Sequence, residues 1–142
     1  LFPYTTLFRS KVLPDDTIAL KDADRLILCT GKVYYDLIEA REQKQLNNAA
    51  IMRIEQLYPL SADELLASID GLPAGKTIYW VQEEPTNMGA WPYFKLSFSD
   101  ELTKKYKLER VTRVESASPS TGSMATHKIE QAELIDEALA NL

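Results

Sequence analysis

The residues able to do chemistry fall into a few short groups along the chain. Glu83 and Glu84 are adjacent carboxylates that follow the apolar run Thr77–Val81. Two carboxyl groups can share general acid and base work only if they face one another. Adjacent strand residues point to opposite faces, so one site would not see both. Thr30-Gly31-Lys32 lies between an apolar run and an amphipathic one. Free amides at a helix start, with a lysine beside them, could hold a phosphate or an acyl-CoA. The full glycine-lysine spacing of a phosphate loop is missing, so a tight turn with an exposed lysine is the plainer reading. His127 is the sole histidine and Cys29 the sole cysteine. They give no triad and no set of metal ligands, so His127 reads as a helix-start or packing residue. Cys29, inside an apolar run, reads as an inert buried thiol.

The elements that must position these residues alternate. Arg25–Thr30 is a continuous apolar run, as in a parallel strand covered on both faces. Lys32–Gln45 follows as a helix with Val33, Leu37 and Ile38 on one side, closed by Asn47-Asn48. Ala49–Ile54 is the next strand. Ser61-x-x-Glu64 has the spacing of a capping box and starts a helix to about Ile69. Thr77–Val81 is a strand that Pro85 should prevent from continuing centrally. Pro92 fits the first turn of a helix ending before Lys104, with Trp91, Tyr93 and Phe94 mostly in the core. Lys107–Glu115 alternates as a last strand, and Ser116–Ser123 is a small-residue loop. Ile129, Ala132, Ile135, Ala138, Leu139 and Leu142 recur at helical spacing. Lys11-Val12-Leu13 is a short edge strand. The order implies a three-layer α/β/α sandwich with a mostly parallel sheet of four or five strands.

Bulk properties narrow the class. The 142 residues suit one domain, and 45% hydrophobic content supports a core. A net charge of −5 argues against a nucleic-acid surface. One cysteine permits no intrachain disulfide and makes a reducing compartment the default. No apolar run approaches the ~20 residues that span a bilayer. Residues 1–10, Leu1 to Ser10, resemble a translated sequencing adaptor more than protein, and are set aside from the fold; residues 11–142 are expected to be one domain of a chain that ran further upstream.

Four stretches then carry a resemblance. They are Cys29-Thr30-Gly31-Lys32-Val33-Tyr34-Tyr35, Arg53-Ile54-Glu55-Gln56-Leu57-Tyr58-Pro59, Gln82-Glu83-Glu84-Pro85 with Asn87 and Gly89-Ala90-Trp91, and Ser116-Ala117-Ser118-Pro119 leading to His127 and Glu130-Gln131. In this order they resemble the C-terminal domain of the thiamine-dependent 2-oxoglutarate dehydrogenase component, with a transketolase C-terminal-like fold. The resemblance implies a parent that uses thiamine diphosphate and magnesium, releases carbon dioxide from 2-oxoglutarate and passes a succinyl group to a lipoyl carrier on a succinyltransferase. It implies a homodimer in the bacterial cytoplasm. It places no catalytic, cofactor or metal residue in this part of the chain. Some relatives respond to acyl-CoA here, which keeps Thr30, Gly31, Lys32 and Arg113 as an effector or anion site. Of the motif before the serines only Arg113 carries over, because Val114-Glu115 replaces Pro-Ala.

Glu83, Glu84, Asn87, Trp91 and His127 are then expected in structural or interface roles. The two acids would tie down loop amides and meet Arg113 or Arg53, and either Tyr34 or Tyr35 would mark a surface that other domains cover. The alternative is a free-standing small-ligand or nucleotide-binding domain; a third reading is a purely structural module.

Overall fold

A computed structural model describes residues 10–117 and 124–142. Residues 1–9 of the set-aside segment, and Ser118 to Ser123 of the small-residue loop, lie outside the described residues. Five strands form one sheet in the order β1-β3-β2-β4-β5. They are β1 (Val12–Leu13), β2 (Arg25–Cys29), β3 (Ala49–Ile54), β4 (Thr77–Pro85) and β5 (Lys107–Arg113). β2 to β5 are mutually parallel, and β1 runs antiparallel to β3. The described helices are α1 (Val33–Gln43), α2 (Ala62–Ser68), α3 (Trp91–Leu102) and α4 (Met124–Ala138), plus a 3₁₀ turn at Leu20–Asp22.

The period-2 alternation of the strands divides the core into two layers. Leu26, Leu28, Ala50, Met52, Ile78 and Trp80 face α2 and α3, whose Leu65, Ile69, Phe94, Phe98 and Leu102 close that side. Ile27, Cys29, Ala49, Ile51, Val81 and Val111 face α1 and α4, with Val33, Leu37, Leu134, Ile135 and Ala138 opposite. This is the three-layer α/β/α sandwich expected, with five strands. Stacking adds specificity on the first side: the Trp80 and Phe94 ring centroids lie 4.4 Å apart.

Local signals explain the element ends. The Ser61 hydroxyl takes the Glu64 amide at 3.0 Å, and the Glu64 carboxylate takes the Ser61 amide at 3.2 Å, closing the capping box. Pro92 sits in the first turn of α3. α1 stops at Gln43, before Asn47-Asn48, because Gln45 turns left-handed at φ 54°. β4 continues through Pro85, contrary to the expected stop. Its pairing with β2 ends at Val81, so beyond that point only β5 lies beside it and a missing donor is tolerated.

Tyr93, Ile129 and Ala132 differ from expectation, while the tyrosine pair at the head of α1 meets it. Tyr93 is partly exposed, because it points round α3 from buried Phe94 and meets Phe98 and Tyr58 edge-on. Ile129 is 60% exposed and Ala132 is exposed, because the start of α4 attaches to the sheet by polar groups and only its later turns bury apolar ones. Tyr35 is the exposed member of the tyrosine pair, and Tyr34 is half-buried.

A buried ion pair seals one rim of the sheet. β1 is two residues long and leaves most of β3 unpaired on that side. Asp15 accepts the Ile51 amide at 2.8 Å, and Arg41 donates to the Ala49 carbonyl at 2.9 Å. The two side chains pair with one another, at 2% and 5% exposure. Together they do what a longer β1 would have done for the β3 backbone.

Candidate functional site

In an open parallel sheet the carboxyl ends of the strands gather the turns that can hold ligands. Here they bring together the turn after β2, the end of β4, Arg113 at the end of β5, and the first turns of α4.

The β4 end is organised by Gln82, a buried side chain that the sequence marks only as part of the Gln82-Glu83-Glu84-Pro85 stretch. Its Oε1 accepts the Trp80 indole N–H at 2.9 Å and the Trp91 backbone N–H at 2.8 Å. Its Nε2 donates to the carbonyls of Pro85 at 2.9 Å, Met88 at 2.8 Å and Glu84 at 3.3 Å. The loop is therefore tied by Gln82 and not by the two acids. Asn87 pins the same loop to the one after β5. Its Nδ2 donates to the Ser116 carbonyl at 2.9 Å, and its Oδ1 accepts the Ser116 amide at 3.2 Å. Trp91 is buried at the head of α3 and stacks on Phe94. Gly89 has φ +65°, and a Cβ there would lie 3.0 Å from the Glu84 carboxylate. Glu84 thus folds under the turn, on the opposite side from Glu83.

Glu83 sits in a polar chain instead of meeting an arginine directly. Its Oε1 accepts Lys32 Nζ at 2.6 Å and Gln131 Nε2 at 3.1 Å. Gln131 Nε2 also reaches Asp36 at 3.0 Å, and its Oε1 accepts Arg113 Nη2 at 3.1 Å. Arg113 Nη1 lies 3.2 Å from His127 Nδ1. Arg53 turns away from both acids, to Glu55 just past the end of β3 at 2.9 Å and to the Tyr35 hydroxyl of α1 at 2.9 Å. The expected contact between Glu83 and Arg113 is thus relayed through Gln131, which adjacency in sequence could not show.

The electrostatics follow from this chain. The Glu83 hydrogen bond raises Lys32 above the ordinary lysine value, with burial opposing. Gly31 has φ +74° and open space at its Cβ position, so the turn needs glycine for its backbone angle and not for close approach. Lys32 stays 75% exposed although paired. A shallow groove of about 430 Å³ runs between α1 and α4, walled by Lys32, Asp36, His127, Lys128 and Gln131. Cys29 is fully buried, and burial pushes its thiol up to about 12, with Arg53 opposing.

These groups do not fit a thiamine diphosphate–magnesium pair, which needs oxygen ligands converging on the ion and free donors for the phosphates. Among the described residues no group of three His, Cys, Asp or Glu side chains converges in that way, and Lys32 and Arg113 are already engaged.

The family described as 2-oxoglutarate dehydrogenase C-terminal matches residues 2–139, a span that enters the set-aside segment 1–10. The chain is similar to an oxoglutarate dehydrogenase of Buchnera aphidicola, 42% identical over 132 residues and covering 93% of this chain and 14% of the relative. It is similar to the 2-oxoglutarate dehydrogenase E1 component of Haemophilus influenzae, 37% identical over 133 residues and covering 94% and 14%. The chain thus spans about a seventh of the length of these curated relatives. Two solved structures share the fold at 15% identity: a 2-oxoglutarate:ferredoxin oxidoreductase from Magnetococcus marinus, TM-score 0.52, covering 93% of this chain and 21% of that one, and a transketolase from Pichia stipitis, TM-score 0.51, covering 90% and 17%. With a family match over nearly its whole length, this chain belongs to the 2-oxoglutarate dehydrogenase C-terminal family.

Proposed function

We propose that the chain is the C-terminal domain of a decarboxylating 2-oxoglutarate dehydrogenase component and serves that enzyme structurally. The domain unit is residues 11–142, with 1–10 foreign to it. The parent uses thiamine diphosphate and magnesium, converts 2-oxoglutarate to carbon dioxide, and hands the succinyl group to a lipoyl-bearing succinyltransferase in the bacterial cytoplasm. This domain packs the homodimer and buttresses the upstream cofactor domains. No helix among the described residues is long and apolar enough to cross a membrane.

One observation supports the structural role. At the carboxyl rim Lys32, Glu83, Gln131 and Arg113 are bonded to one another, with Arg113 Nε left over, while Tyr58, Tyr93 and Leu96 stand 77%, 37% and 86% exposed along and beside α3. A self-contained small-ligand binder has the reverse need: free polar groups in a pocket and no uncovered aromatic surface.

The test is turnover. Given thiamine diphosphate, magnesium and 2-oxoglutarate, the 142-residue chain releases no carbon dioxide. Replacing the matching domain of a full-length relative with residues 11–142 retains activity and dimerisation. Decarboxylation by the chain alone overturns the proposal.

The acyl-CoA reading attaches to Thr30, Gly31, Lys32 and Arg113. The groove beside Lys32 carries Lys128 and His127 on its wall but also Asp36, Glu39 and Asp136, so an anion there would have to displace Glu83 from Lys32. An acetyl-CoA titration that leaves the amide resonances of Thr30 to Val33 unmoved removes it.

A further inference from the structure

The two rims of the sheet end differently. At β3 the Asp15–Arg41 pair occupies backbone groups that β1 leaves uncovered. The other rim is β5, and among the described residues no strand lies beyond it. Its odd-numbered residues bond to β4: the Lys107 amide donates to the Lys76 carbonyl at 3.0 Å, and the Arg113 carbonyl accepts the Thr86 amide at 2.9 Å. The backbone groups of Leu108, Arg110 and Thr112 therefore point outward, and among the described residues none of them has a hydrogen-bond partner. Lys107, Glu109, Arg110 and Glu115 join none of the ion pairs among the described residues. A groove of about 600 Å³ follows this rim, with Arg110, Arg113, Glu115 and Glu137 on its wall. Basic and acidic groups balanced within one patch are what a self-complementary surface needs.

We propose that β5 pairs antiparallel with β5 of a second copy, about a two-fold axis through Val111, so that two sheets join into one. The inference rests on the dimer-packing part of the proposed function and names the surface that does it. The strand's own charges choose the register. A two-fold axis perpendicular to the sheet keeps each face continuous, so odd residues meet odd ones and even meet even. With Val111 on the axis, Glu109 faces the partner's Arg113 and Lys107 faces the partner's Glu115. Arg110 faces the partner's Thr112, and their outward backbone groups exchange hydrogen bonds. Leu108 faces the partner's Val114, which covers a side chain that is 84% exposed in the single chain. Neighbouring registers oppose like charges, which is unfavourable. Centring on Glu109 or Arg110 sets that residue against its own copy, and centring on Thr112 sets Glu109 against Glu115. Glu130 and Glu133 of α4 stand beside the rim and add negative charge, so the association is a weak one.

Sedimentation equilibrium of the 142-residue chain tests this. The chain should be monomeric at about 1 µM and largely dimeric by about 300 µM, as for a small interface. Arg110→Pro removes an outward amide and no bond to β4, a change that edge strands tolerate. It should weaken the dimer by roughly tenfold or more, with the melting curve of the monomer kept as the check on folding. Lys107→Glu should weaken it roughly fivefold, and Lys107→Glu combined with Glu115→Lys should restore it. Lys107→Cys with Glu115→Cys should cross-link two chains on mild oxidation, and neither single variant should, because opposed residues of this kind have Cα atoms about 4.5 Å apart. A chain that stays monomeric throughout, or a dimer that Arg110→Pro leaves intact, overturns the proposal. A dimer that resists Arg110→Pro but is lost on Leu96→Asp lies on α3 instead, which sinks this inference while the dimer-packing reading stands.

Discussion

The side-chain oxygen of Gln82 accepts the backbone N–H of Trp91 at 2.8 Å, joining the end of β4 to the head of α3 across nine residues. α3 lacks a side-chain cap of its own, and Ala90 occupies the cap position. Gln82 therefore acts as a cap from outside the helix. Replacing it with Met keeps the bulk but leaves the buried Trp80 and Trp91 donors without their acceptor, while the Pro85 carbonyl keeps the Met88 amide and the Glu84 and Met88 carbonyls are only part-buried. Each buried unmet group costs about 1–3 kcal/mol, so Gln82→Met should destabilise by roughly 3–5 kcal/mol. Urea unfolding followed by tryptophan fluorescence measures it, and a loss near zero would mean that water substitutes for the amide.

The Asp15–Arg41 pair gives a pH signature. Burial pushes the Asp15 carboxyl up, but Arg41 and the amides of Ile51, Ile18 and Thr17 together bring it below the ordinary 3.8. A depressed folded value means that the stabilisation is complete above the unfolded value and is lost as pH falls through the lower folded one. Stability should therefore hold on acidification to about pH 5 and then decline steeply below about pH 4. Arg41→Met alone strands a buried carboxylate and should cost about 3–5 kcal/mol. The double variant Asp15→Leu, Arg41→Met should cost less than the sum of the two single changes. Denaturant midpoints across the pH range and the mutant cycle test both statements.

Cys29 offers a direct probe of opening. With no exposure and its thiol pushed up to about 12, it has almost no thiolate at neutral pH and no path for a reagent. An aromatic disulfide reagent at pH 8 should modify the native chain only at the rate of unfolding, and should react at once in strong denaturant. Rapid modification under native conditions would show that the sheet opens locally at β2.

Much of the layout was legible because it is periodic or local. The continuous apolar runs of β2 and β3 mark strands covered on both faces, and the Ser61–Glu64 box and Pro92 mark helix starts that need no tertiary context. What was not legible involves side chains whose partners assemble only on folding. Arg41 follows the amphipathic stripe of α1 and looks like a solvated end. It turns inward because β1 is too short to cover Ala49 and Ile51. Gln131 lies deep in a helical pattern, and nothing local shows that its amide joins Arg113 to Glu83 and Asp36. Ile129 kept the helical spacing but missed the core, since spacing gives a face and not how far along the helix the sheet extends.

A bare ladder amide at the rim of a sheet is what a strand from another molecule grips when proteins polymerise. On β3 that grip is already taken at Ile51 by a carboxylate, and a guanidinium shields the Ala49 oxygen two positions back. The short outer strand thus leaves no sticky border behind it: two charges, neutralised by each other, close off the side of the molecule on which neighbouring copies would otherwise zip together.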